Sequence, residues 1–108
     1  MTTIDTNPNV MTLINVFRVD PSHCDELVAL LTTATTDTIA DLPGFVSANI
    51  HRSDDNSTVV NYAQWTSRTD YQAMLENPAV QPHLQEAAEV AESFDPIIAT
   101  VVHSTSRT

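Results

Sequence analysis

Residues 45–65 read FVSANIHRSDDNSTVVNYAQW. Two runs carrying β-branched and aromatic side chains, Phe45 to Arg52 and Thr58 to Trp65, flank the polar stretch Ser53 to Ser57, the pattern of a hairpin. Alternation along the second run puts Val60, Tyr62 and Gln64 on one face and Val59, Asn61, Ala63 and Trp65 on the other. Bulky side chains on both faces mean that both need a cover. Just before the hairpin, Leu42, Pro43 and Gly44 form a stop signal, with the chain's single glycine where a left-handed helix cap is useful.

Working outward, Met11 to Asp20 (MTLINVFRVD) reads as a first strand buried on both faces. Asp20, Pro21 and Ser22 open a helix, with Pro in the first turn and Asp25 three residues beyond Ser22. Cys24, Leu27, Val28, Leu31, Ile39 and Leu42 share its apolar stripe, so this helix is expected to reach Leu42. The threonines between Thr32 and Thr38 are weak helix formers, and packing must sustain that stretch. After the hairpin, Ser67 and Asp70 resemble a capping box, with Tyr71, Met74 and Leu75 at helical spacing. Asn77 and Pro78 break the helix, which resumes with Val80, Leu84, Ala87, Ala88 and Ala91 on one face. Asp95 and Pro96 then open a last strand, Ile97 to His103. The order βαββαβ points to a ferredoxin-like α+β fold. Helices cover one face of such a sheet, and a second copy of the chain is the simplest cover for the other, so a homodimer is expected.

The 108 residues hold one domain, 11–104, behind a short polar N-terminal arm, 1–10, with a turn at Asn7 and Pro8. The polar end from Ser104 to Thr108 is expected to fray. Four arginines, no lysine and 14 acids give a formal charge of −10, which repels nucleic acid and anionic membrane surfaces. One glycine rules out a glycine-rich phosphate loop. One cysteine, Cys24, rules out an internal disulfide and a multi-cysteine metal site. No stretch approaches the ~18 apolar residues of a membrane span, and residues 1–10 lack the cationic start and apolar core of a secretion signal, so a cytoplasmic location is expected.

Chemistry has few carriers in this sequence. Asn61 and Trp65 point the same way from one strand, roughly 13 Å apart, about the length of a flat polycyclic ligand. A donor-only indole N–H and an amphoteric carboxamide suit a phenolate or carbonyl oxygen. Read from the residues alone, the two better suit a core tryptophan and a satisfied buried amide. His51 joins them if a five-residue loop pairs residue 52 with 58, and faces away across a four-residue loop. On the right face it is a proton acceptor; otherwise it is a solvated strand end. Tyr71 lies on the inward stripe of its helix, as a cavity hydroxyl or a core aromatic. His83 adjoins Val80, Leu84 and Ala87, where it suits a haem ligand, a weak metal pair with Glu86 or, with Tyr71 and Gln85, a contact to substrate. His23 and His103 sit at element ends, and no Ser/His/Asp arrangement is visible.

The strings LPGFVSANIH (42–51) and VVNYAQW (59–65) resemble the antibiotic biosynthesis monooxygenase family, and within it the small anthrone-type members of the actinorhodin type. The resemblance runs from about Leu13 to His103. It implies a dimeric α+β barrel with a cavity between sheet and helices, oxidising a polyketide-derived anthrone or related phenol to a quinone. Molecular oxygen would be the co-substrate, with no flavin, haem or metal. It further implies that Asn61 and Trp65 bind substrate and assist oxygen activation, that Tyr71 lines the pocket, and that His51 lies near it. An arginine of the last helix is replaced here by Gln85, which removes a cation that would steady an anionic substrate. Two alternatives remain at this point. A haem-degrading monooxygenase of the same fold would use Asn15 and His83, but its tryptophan would fall near Met74 or Leu75. A non-enzymatic dimer would use Asn61 and Trp65 only to bind an aromatic metabolite.

Overall fold

The computed structural model describes residues 3–107. Of the arm and tail anticipated above, Met1, Thr2 and Thr108 lie outside the described residues. The elements are β1 (Met11–Arg18), α1 (Cys24–Asp37), β2 (Phe45–Arg52), β3 (Thr58–Trp65), α2 (Arg68–Glu76), α3 (Gln81–Val90) and β4 (Ser93–Ala99). The strands form one antiparallel sheet in the order β2-β3-β1-β4, and the helices pack on one face, giving the ferredoxin-like arrangement.

Local chemistry explains most boundaries. The Asp20 carboxylate accepts from the Ser22 backbone N–H at 2.9 Å and caps a short 3₁₀ turn, Pro21–His23, that leads into α1. Helix α1 ends at Asp37 rather than Leu42. Thr38 breaks it with φ −133°, and Ile39–Asp41 continue as a separate 3₁₀ turn. Packing carries the helix through Thr32, Thr33, Thr35 and Thr36, and it stops at Thr38, the last of these weak helix formers. At α2 the expected cap is present: the Asp70 N–H donates to Ser67 Oγ at 3.1 Å. Gly44 has φ +83°, and a Cβ there would collide with the Asp70 side chain, so this position requires glycine twice over.

The last strand differs from expectation. It spans Ser93–Ala99 instead of Ile97 to His103, and His103 lies beyond it. The chain leaves α3 directly into the ladder, the Glu92 N–H donating to the Arg18 carbonyl at 2.8 Å. Pro96, read as a strand opener, sits opposite Asn15 inside the strand. An edge strand tolerates a residue without an N–H, because one side of its backbone has no partner strand.

The core lies between sheet and helices in two clusters, one around Phe17, Leu27 and Val59 and the other around Leu13, Trp65 and Met74. Cys24 is buried in the first as a free thiol. On the opposite face the N-terminal arm crosses the sheet. Gln64 is fully buried there, accepting from the Asp5 N–H at 2.7 Å and donating to the Asp5 carbonyl at 3.0 Å and to Thr12 Oγ1 at 3.1 Å. The expected turn follows, closed by the Val10 N–H on the Asn7 carbonyl. No helix among the described residues is long and apolar enough to cross a membrane.

Candidate active site

β1 and β3 pair without a bulge from Met11 opposite Trp65 to Arg18 opposite Thr58. That register sets Asn15 directly against Asn61, and it extends sideways to Pro96 on β4 and Ile50 on β2. A polar pair therefore stands at the centre of the sheet, on the face that the helices cover. Opposed residues on one face have Cβ atoms roughly 5 Å apart, so the two carboxamides share one space.

That space is a small inner cavity of about 70 Å³, walled by Leu13, Asn15, Phe17 and Asn61 from the sheet. Leu31, Ala34 and Thr35 of α1, with Ile39, close one side, and Tyr71, Met74, Leu75, His83 and Leu84 of α2 and α3 close the other. It shares Asn15, Phe17, Leu31, Tyr71, Leu75 and Leu84 with an outer cavity of about 250 Å³, which opens past Phe94 and Pro96 of β4. No Asp or Glu lines either one.

The polar groups inside are unequally satisfied. The Oδ1 atoms of Asn15 and Asn61 are buried with no hydrogen-bond partner. An unmet buried acceptor costs about 1–3 kcal/mol, so the fold carries a penalty here that a bound donor relieves. Thr35 is already occupied, its hydroxyl donating to the Leu31 carbonyl at 2.8 Å within α1. Tyr71 is 7% exposed, and burial pushes its phenol pKa up, so at neutral pH it is a protonated donor.

The structure brings Asn61, Tyr71 and His83 together and places the other anticipated residues elsewhere. Trp65 shares the helix-covered face with Asn61, but it is buried in the wall and does not border the cavity. Its ring meets Phe45 edge-on at 5.5 Å and Tyr71 at 6.3 Å, so it braces the tyrosine. His51 is on the other face. The Ser53 N–H donates to the Thr58 carbonyl at 2.9 Å, closing a four-residue loop, and His51 pairs with Val60. It sits with Ile4, Asn49 and Tyr62, its Nδ1 3.1 Å from the Asn49 carbonyl oxygen. The loop itself sets this outcome: Asp55 accepts from both Ser53 Oγ and Ser57 Oγ, and those bonds hold its carboxyl down to about 2. Gln85 is exposed on the solvent side of α3, while His83, Leu84 and Ala87 turn inward to line the cavities and the exposed Ala88 borders the outer one.

Asn15 is the residue that sequence reading valued too little, considering it only for haem. Its signal was a lone carboxamide in the middle of an apolar strand, but the partner that gives it meaning lies 46 positions away, by the strand register. Among the described residues, no three His, Cys, Asp or Glu side chains converge as metal ligands do.

Comparison with known proteins matches this architecture. The family description "Antibiotic biosynthesis monooxygenase" fits residues 10–90. Tetracenomycin-F1 monooxygenase of Streptomyces glaucescens is 45% identical over 104 residues, 96% of this chain and 92% of that protein. A crystal structure of a monooxygenase from the gene ActVA-Orf6 of Streptomyces coelicolor, in complex with nanaomycin D, superposes with a TM-score of 0.79 at 30% identity, covering 94% of this chain and 96% of the other. SnoaB, a cofactor-independent oxygenase from Streptomyces nogalater, shares the fold with a TM-score of 0.75 at 24% identity, covering 92% of this chain and 99% of the other. The residues matched include both central strands, all three helices and the full lining of the inner cavity, and the chain is thus a monooxygenase belonging to the antibiotic biosynthesis monooxygenase family.

Proposed function

We propose that this protein is a cofactor-independent monooxygenase that oxidises a polyketide-derived aromatic, an anthrone or related phenol, to a quinone with molecular oxygen. The observation that carries this reading is the pair of unpartnered carboxamide oxygens, Asn15 and Asn61, at the floor of a mainly apolar cavity. Such a floor fits a flat aromatic that carries its own hydroxyl donors. The names of the relatives, with tetracenomycin F1 and nanaomycin D in them, support the same substrate class.

The chemistry needs little more. Triplet oxygen reacts slowly with closed-shell molecules, but an electron-rich phenolate or carbanion passes it one electron. The protein must promote deprotonation, hold the anion with aimed donors and keep water out. The amide Nδ2–H groups of Asn15 and Asn61 and the Tyr71 hydroxyl are donors for the anion and for the nascent peroxide. Trp65 fixes Tyr71 from behind. Leu31, Leu75 and Leu84 supply the dry walls.

The site opens beside β4, and there the surface is unusually apolar. Phe94 is 52% exposed, Ile97 45% and Ile98 43%, so both faces of this edge strand present large side chains to solvent. A second copy of the chain covering β4 would bury them and close the cavity mouth at Phe94 and Pro96. A homodimer follows, and light scattering should give twice the 11.8 kDa chain mass.

The functional test is oxygen uptake with dithranol as the model anthrone, with the uncatalysed autoxidation subtracted and the protein first treated exhaustively with chelator. Turnover to the quinone by the metal-stripped protein supports the reading. Activity that vanishes with metal and returns on its readdition overturns it, as does a stoichiometric Soret band on haemin titration followed by haem breakdown.

A further inference from the structure

Making the substrate anion requires a base, and the cavity narrows the choice to one group. Of the residues lining the inner and outer cavities, only Tyr71 and His83 titrate. Tyr71 is the wrong partner, because burial disfavours its phenolate and leaves it a donor at neutral pH. The carboxamides have no basic lone pair. His51 is separated from the cavity by the sheet itself, and His23, before α1, and His103, beyond β4, are exposed. His83 borders the same inner cavity as the unpartnered Asn15 and Asn61 oxygens. Among the described residues its ring makes no ion pair or hydrogen bond, in contrast to the other three histidines.

We propose that His83 is the catalytic base of this site, taking the proton from the acidic C–H or phenolic O–H of the bound aromatic. This rests on the oxygenase reading above and adds a residue to it. The substrate bond to hydrogen breaks, its electron pair stays on the aromatic as the anion, and the proton bonds to the imidazole. One electron passes to oxygen, and radical recombination forms the new C–O bond of a peroxide, which the imidazolium protonates. The neutral imidazole then removes the remaining proton at that carbon. The carbonyl forms as the O–O bond breaks, and the departing hydroxide takes the imidazolium proton to leave as water. The histidine ends as it began, and one substrate CH₂ plus O₂ has become C=O plus H₂O.

The ring is surrounded mainly by uncharged groups. From α1 the facing residues are Leu31, Ala34 and Thr35, and from the sheet Asn15 and Asn61, none of them charged. From α2 the facing titratable group is Tyr71. On α3 itself the carboxylate one turn on, Glu86, is exposed.

Two variants and two readouts test this. In aerobic assays with dithranol, His83→Gln should lower kcat/KM by roughly 10²-fold and remove the acid limb of the wild-type pH profile. His83→Ala should be rescued by added imidazole, which a purely structural role would not allow. In anaerobic assays, where no oxygenation occurs, wild type should generate the long-wavelength band of the anthrone anion on binding dithranol, and His83→Gln should not. Wild-type rate, pH profile and anion band in a folded His83→Gln protein would overturn the proposal and leave the oxygenase reading standing. An anion band in wild type alone, without oxygen uptake, would sustain the base and overturn the oxygenase reading. Neither turnover nor an anion band in wild type would overturn both.

Discussion

Three carboxamides stand in the two central strands of this sheet, and the two faces treat them in opposite ways. On the face crossed by the N-terminal arm, Gln64 is buried with three hydrogen bonds that tie Asp5 and Thr12 to it. On the helix-covered face, Asn15 and Asn61 are set side by side with both Oδ1 atoms unmet. The first arrangement lowers the free energy of the fold, and the second raises it. A polar group that the fold leaves unmet inside an apolar cavity is one that a ligand can satisfy, which is why the function is placed on the helix side.

That contrast breaks first at the asparagines. Asn61→Ala and Asn15→Ala should each lower kcat on the order of 10²-fold while changing KM less, as loss of a preorganised donor does. Neither should lower the thermal midpoint, since the deleted oxygens are unpaired in the free protein. Steady-state oxygen uptake and a melting curve together check it, and a variant that loses stability but keeps its rate would make the pair structural.

Gln64→Leu should do the reverse. Loss of the arm's anchor should cost about 2–4 kcal/mol in urea unfolding while kcat per folded molecule stays at the wild-type level. The two sets of variants would then separate stability from turnover across a single sheet.

Trp65→Phe tests the bracing of Tyr71. The smaller ring keeps an apolar side chain but loosens contacts with Phe45 and Tyr71, for an expected loss of about 1–3 kcal/mol. Its effect on kcat should be smaller than that of Asn61→Ala, since the indole does not border the cavity. A larger one would mean that the indole N–H itself reaches the substrate.

Tyr71 also predicts a pH dependence. Its folded pKa is raised above the ordinary value of 10.0, so the unfolded chain ionises first as pH rises. Its contribution to stability is complete below pH 10 and declines as pH climbs through the folded pKa, and Tyr71→Phe should remove that part of the decline. Melting temperatures from neutral pH to beyond pH 10 would show it. The smallest effect belongs to His51→Ala, on the arm side of the sheet, which should leave kcat and its pH profile unchanged.

Much of this molecule was legible in one dimension. The two strands of the hairpin at 45–65 were read with their true boundaries, and the two-residue alternation assigned the side chains from Val59 to Trp65 to their faces. The caps at Asp20 and Ser67 and the break at Asn77 were legible because they depend on neighbours within a few residues. The boundaries that failed are those where local propensity competes with packing: α1 runs through its threonines but stops at Thr38, short of Leu42, and β4 starts before Pro96 because the ladder with β1 recruits it.

The site divides along the same line. Local sequence was enough to make Asn61, Tyr71 and His83 candidates, because polarity at a buried spacing is visible in one strand or helix. Which of them meet was a matter of tertiary structure. One residue of loop length turned His51 to the far face, since a shift of one reverses every side chain of a strand. The register of β1 against β3 paired Asn15 with Asn61, and the docking of α2 placed Tyr71 between Trp65 and the cavity. Strand period and capping act over a few residues and can be read from them. A cavity is made by elements that only packing brings together, so its lining, and the asparagine pair at its floor, existed only once the chain had folded.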